Sequence, residues 1–125
     1  MNSYQDLKVW QRAMDLAVES YELTKYFPRE EVYGLTSQVR RAAASVPANI
    51  AEGYGRDGAG SYVQHLKIAQ GSLKELETHI LLSSRIGLTS QDRVSKAMAI
   101  SEEVGKMLRS LIRSLQDERN GRTSE

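Results

Sequence analysis

Cysteine is absent from this 125-residue chain, which excludes a disulfide framework and any thiolate metal site. Proline occurs only twice, and phenylalanine and tryptophan once each, so long stretches run free of helix breakers. Neither sign of charge dominates. Seventeen Lys and Arg stand against sixteen Asp and Glu, a net charge of +1, so the whole-molecule field draws the chain onto neither nucleic acid nor an anionic membrane. Any such binding has to come from local clustering. Long apolar runs are missing as well. Charges break each apolar stretch far short of the ~20 residues of a membrane span, and MNSYQDLKVWQRAMDL at the start lacks the apolar core of a signal peptide. A soluble, cytoplasmic protein without membrane contact is expected.

What is present favours helix: Ala, Leu, Glu, Lys, Arg and Gln are frequent. Ser3 and Asp6 resemble a capping box, and Leu7, Trp10, Met14, Ala17 and Tyr21 recur at three-and-four spacing, predicting a first helix over about 5–26. Pro28 with Glu30 and Glu31 marks a second start. Val32, Leu35, Val39, Ala42, Ala43 and Val46 would form the buried face of that second helix, bent at Pro47 and stopped near Gly53 and Gly55, over 28–53. The seam Leu66, Ala69, Leu73, Leu76, Ile80 and Ser83 predicts a third helix over 60–87. Thr89 with Asp92 caps a fourth over 90–116, carrying Val94, Ala97, Ser101, Val104, Leu108, Leu111 and Leu115. Residues 117–125 read as a frayed tail. Met14, Met98 and Met107 read as core filler.

Residues 1–125 thus form a single all-α domain, and four amphipathic helices with short turns predict an up-down-up-down antiparallel four-helix bundle. Two helices carry more apolar surface than one core needs. Val9, Ala13, Leu16 and Leu23 make a second stripe on the first helix, and Ile68, Gly71, Leu82 and Ile86 lie off the main seam of the third. These eight positions are the candidate interface of a homo-oligomer, since surplus apolar faces on soluble chains are commonly covered by another subunit.

With the helices placed, VWQRAMDL at Val9 to Leu16, the Phe27-Pro28 step, YGLTSQVRRAA at Tyr33 to Ala43, SVPANIAEG at Ser45 to Gly53, Arg56, and IAQGSLKELET at Ile68 to Thr78 carry a family likeness. The chain resembles the four-helix bundle proteins encoded by intervening sequences of bacterial 23S ribosomal RNA genes, over Leu7 to about Leu115. It is similar too to the accessory protein of diversity-generating retroelements. The resemblance implies a ring-shaped homopentamer that associates with RNA in the ribosomal setting, and no catalysis. The chain departs from the family pattern before the third helix, where Gly58 and Ser61 replace a Ser cap and an acidic residue. A weaker helix start is expected there.

The basic residues offer two readings each. Arg40 and Arg41 suit phosphate, through the planar guanidinium fork, or ion pairs with Glu52, Glu75 or Glu77 inside the assembly. Lys106, Arg109 and Arg113 share a face of the fourth helix, and Lys67 and Lys74 form a similar pair on the third. Such stripes fit an RNA backbone or an ordinary solvated face, with Glu102 four residues before Lys106 and Asp117 four after Arg113. Arg40, Arg56, Lys106, Arg109 and Arg113 are the RNA-binding candidates, and Arg41, Asn49, Glu52 and Glu75 a candidate structural polar network.

No catalytic residue, metal ligand set or cofactor site emerges. His65 and His79 stand two heptads apart, and GYGRDGAG lacks the lysine and preceding strand of a P-loop. The tyrosines are not interleaved with basic residues, so they read as core or interface side chains, Tyr54 between two glycines being the exception. The function expected is a non-catalytic scaffold that binds structured RNA or an RNA-associated protein. The alternative is a protein-protein adaptor with no nucleic-acid contact.

Overall fold

The computed structural model describes residues 3–121. These form four α-helices and no strand: α1 Lys8–Thr24, α2 Leu35–Tyr54, α3 Ala59–Arg85 and α4 Gln91–Arg119. Each packs on the next, and α4 returns to α1, around one shared apolar core.

The helix ends show where local chemistry departs from the expected boundaries. Ser3 accepts the Gln5 N–H, but this caps a 3-10 turn over Tyr4–Asp6; Leu7 is extended, so α1 begins only at Lys8. The helix expected over 28–53 is split. A 3-10 turn at Arg29–Glu31 is followed by a break, and α2 starts at Leu35, whose N–H is capped from outside by Glu31 Oε1 at 3.1 Å. Val32 therefore faces solvent instead of the core. Past the break, α2 runs through buried Pro47 and ends on Tyr54.

Gly58, at φ +86°, precedes α3 with no side-chain cap, as the departure in that turn led us to expect. The other end of α3 is firmer. Gly87 sits at φ +83°, its N–H reaching Ser84 O while Leu88 N–H reaches Ser83 O, the paired closure that needs a left-handed residue. Ser90, rather than Thr89, caps α4 by accepting the Arg93 N–H. That helix extends through Asp117 to Arg119, whose guanidinium lies across Gly60, so this part of the expected tail is ordered helix. Residues 122–125 lie outside the described residues.

The α3 and α4 seams face the core as expected, joined by Val63, Ile100 and Ile112. On α1 the expected core stripe is divided, with Leu7, Trp10 and Ala17 packed partly buried against the core, and the other stripe is the enclosed one. Val9, Ala13, Leu16 and Leu23, expected at a subunit interface, are buried inside the subunit, whereas Met14 and Tyr21 are exposed. Both stripes share the three-and-four rhythm, so periodicity alone does not say which one faces inward. A long-range clamp does. Arg12 Nε and Nη2 donate to Glu103 Oε2 and Oε1 at 2.9 and 3.0 Å, with Asp15 at 3.0 Å on Nη1, which ties this side of α1 to α4. Further along the same seam, buried Glu19 meets Lys96 at 3.3 Å. Positions rising along α1 thus meet positions falling along α4; Ser45 with Ser72 and Glu52 with His65 do the same for α2 and α3.

The clamp makes stability pH-dependent. The hydrogen bonds from Arg12 hold the Glu103 carboxyl below its ordinary 4.5, so its folded form binds protons less readily than the unfolded chain. The stabilisation is complete above about pH 4.5 and is lost as pH falls through the depressed value. Glu103→Gln is expected to flatten the acid limb of stability against pH, followed by circular dichroism in urea. The pair is partly exposed, so added salt should weaken the effect. An unchanged acid limb in the variant would remove the clamp as its source.

Candidate nucleic-acid interface

The helix register brings the two basic stripes together. Antiparallel approach of Glu77 to Ser101 and of Leu73 to Gly105 places Lys67 and Lys74 of α3 beside Lys106 and Arg109 of α4. Two adjoining depressions of about 570 and 460 Å³ lie between these helices and share Lys74, Gly105 and Arg109. Gly105, buried between the two helices, lines both depressions; a Cβ there would meet Leu73 Cδ2 at 3.4 Å and Arg109 Nη1 at 3.6 Å, ordinary contact distances.

Four cations line the groove against two carboxylates, Glu77 and Glu102. Each carboxylate steadies one lysine: Lys74 Nζ lies 3.2 Å from Glu77 Oε1, and Lys106 Nζ 3.5 Å from Glu102 Oε1. Glu77, with little side-chain exposure, also accepts the Ser101 hydroxyl, which fixes the wall of the groove. Lys67 and Arg109 pair with no carboxylate among the described residues. Exposed guanidinium and ammonium groups left in this state are what a phosphate backbone can engage.

Of the five RNA-binding candidates, Lys106 and Arg109 line this groove. Arg113 follows one turn later on α4 and is exposed. Arg40 and Arg56 are elsewhere. Arg40 is held between α1 and α2, its Nε donating to Thr24 Oγ1 at 2.8 Å and its guanidinium 4.7 Å from the Tyr21 ring centroid. Arg56 closes on Glu52 at the end of α2, and its hydrogen bond holds the Glu52 carboxyl below the usual carboxylate range.

The expected polar network separates into parts. Glu52 meets Arg56 and, at 3.4 Å, His65 Nε2, not Arg41. Asn49 turns back to Ser45, donating to its carbonyl and hydroxyl, and Ser45 reaches Ser72 across the α2–α3 interface. Arg41 is exposed and pairs with no carboxylate among the described residues; it shares a depression of about 350 Å³ with Gln38, Ser45 and Glu75. Glu75 lies 3.8 Å from His79. Tyr54 packs edge-on against Tyr62 at 6.0 Å, and burial pushes the Tyr62 phenol up.

Ile68, Gly71, Leu82 and Ile86 stay on the surface, joined by Leu81. On α1 the exposed apolar set is Met14, Val18 and Tyr21. Among the described residues no group of three or more acidic or imidazole side chains stands ready to hold a metal ion, and no helix is long and apolar enough to cross a membrane.

Glu77 and Ser101 were missed as groove-forming residues, although both carried sequence signals, one as a charged neighbour of the seam and the other as a polar seam position. Their partnership joins residues 24 apart and has no local signature.

Comparison with known proteins agrees with this architecture. The family model described as 23S rRNA-intervening sequence protein matches residues 5–110. No curated protein matches significantly. Among solved structures, a protein of unknown function from the S23 ribosomal protein family of Bacteroides thetaiotaomicron, determined by crystallography, superposes with a TM-score of 0.77. It is 25% identical, over 83% of this chain and 97% of that one.

Proposed function

The chain belongs to the 23S rRNA-intervening sequence protein family, and from that premise we propose that it is a non-catalytic, cytoplasmic, homo-oligomeric scaffold that binds RNA or an RNA-associated protein. The observation that carries the reading is the convergence of Lys67, Lys74, Lys106 and Arg109 on one groove in a chain whose net charge is only +1. Local density takes the place of global charge, as phosphate-backbone binding requires.

The assembly belongs to the same proposal. The helix registers support an up-down-up-down antiparallel bundle. The exposed apolar residues of α1 and α3 support closure of several such bundles into a ring, a pentamer by family resemblance. A ring repeats the groove around its circumference, and linked sites on one RNA raise the effective affinity without new contacts. Native mass measurement at micromolar protein should give a multiple of 14.0 kDa; a lone subunit would remove the ring.

Changing Lys67, Lys74, Lys106 and Arg109 together to Ala should abolish most of the salt dependence of RNA binding. Four neutralised phosphates give a slope of roughly −3 to −4 in log affinity against log salt, or a loss of about a hundredfold between 50 and 200 mM. Filter binding at the two salt concentrations reads this directly. The same exposed apolar residues favour a second reading, a protein-protein adaptor. An adaptor predicts no RNA retention at low salt and a partner interaction indifferent to the four substitutions.

A further inference from the structure

We propose that the α3–α4 groove takes base-paired RNA by its phosphate ridge rather than unpaired bases, an inference that rests on the RNA-binding reading of this groove. The cations form a compact patch. With Leu73 level with Gly105 and Glu77 level with Ser101, all four fall within about 10 Å along the helix axis, seven residues at 1.5 Å each. They stand on both walls, two from α3 and two from α4. That is a footprint for adjacent phosphates, not a long track that follows an extended strand.

The lining argues against base stacking. Leu73, Met98, Ala99 and Gly105 are apolar or side-chain-free residues along it, and none of the residues lining either depression is aromatic. Unpaired bases are held largely by stacking on aromatic rings or arginine planes. Several rings of this chain are already engaged elsewhere: Tyr4 edge-on to Trp10 at 5.2 Å, Tyr54 to Tyr62, and Tyr21 beneath Arg40. Arg109 is the one guanidinium lining the groove, and its planar fork matches two oxygens of a phosphate. Gln70 and Ser95 add neutral donors and acceptors at the rim, the groups that read 2′-hydroxyls along the shallow minor groove of an RNA duplex.

The test is fluorescence anisotropy on the full chain with an RNA duplex of about 20 base pairs, a duplex of scrambled sequence, and an oligouridine of equal length. The two duplexes should bind alike and at least tenfold more tightly than oligouridine. Joint Lys67→Ala and Arg109→Ala substitution should lower duplex affinity by about tenfold or more and reduce the salt slope by about 2, with helicity by circular dichroism unchanged. Oligouridine binding as tightly as duplex, and weakened by the same substitutions, would overturn the duplex inference and leave RNA binding at the groove standing. Absence of binding to any of the three would overturn both.

Discussion

Leu16→Ala lowers the unfolding free energy by about 3 kcal/mol, whereas Met14→Ala, two residues earlier on the same helix, lowers it by less than about 1 kcal/mol. The difference follows from which α1 stripe is enclosed. Leu16 has no exposed surface and contacts the shared core, so truncation removes its transfer free energy and leaves a cavity that neighbouring helices fill only in part. Met14 is 39% exposed, and alanine's higher helix propensity offsets part of what little packing is lost. Urea denaturation resolves the pair as a shift of midpoint at constant slope. Equal losses at all protein concentrations would return Met14 to the subunit core and sink the assignment. A Met14 loss that grows with protein concentration would instead mark it as a subunit contact, because stability linked to assembly depends on mass action.

That pair of residues shows what a sequence can and cannot specify here. The existence of four helices, the α3 and α4 seams and the stops near Gly55 and Gly87 follow from short-range rules, period and punctuation, which act within a few residues. The rotation of α1 does not. Its two stripes are equivalent by period, and the contact that separates them joins Arg12 to Glu103, 91 positions away. The split at Gly34 is hidden for a related reason: in sequence Glu31 is a charge that favours a helix start, while in the fold its carboxylate caps a later one. For the groove, both basic stripes were legible but their meeting was not, because it depends on the α3–α4 register. Arg40 looked as available as Arg109 in sequence. Only the fold sends one to Thr24 and Tyr21 and leaves the other without an acidic partner among the described residues.

The same replacement, glycine to alanine, should have opposite signs at two positions inside helices. Gly71 lies mid-α3 with nothing within 4 Å of where a Cβ would stand. There the substitution only restricts the unfolded chain and adds helix propensity, so Gly71→Ala should stabilise by about 0.5–1 kcal/mol. Gly53 gains the same propensity near the end of α2 but meets a neighbour first. An added Cβ falls 2.8 Å from His65 Cβ and 3.1 Å from Tyr62 Cδ1. A Cβ is fixed to its backbone and does not swing aside as a side-chain tip would, so α2 and α3 have to separate. Overpacking of this kind costs about 1–3 kcal/mol, enough to exceed the propensity gain at its upper range and reverse the sign. Gly53→Ala is therefore expected to destabilise by about 1–2 kcal/mol in urea titration. Separation should also disturb the contact between Glu52 and His65, since both flank the clash. The His65 imidazole resonances, followed by NMR, should shift in Gly53→Ala and stay in place in Gly71→Ala. Stabilisation by both substitutions would mean that the α2–α3 crossing is looser at Gly53 than the geometry requires, and with it the placement of α3 on which the groove depends.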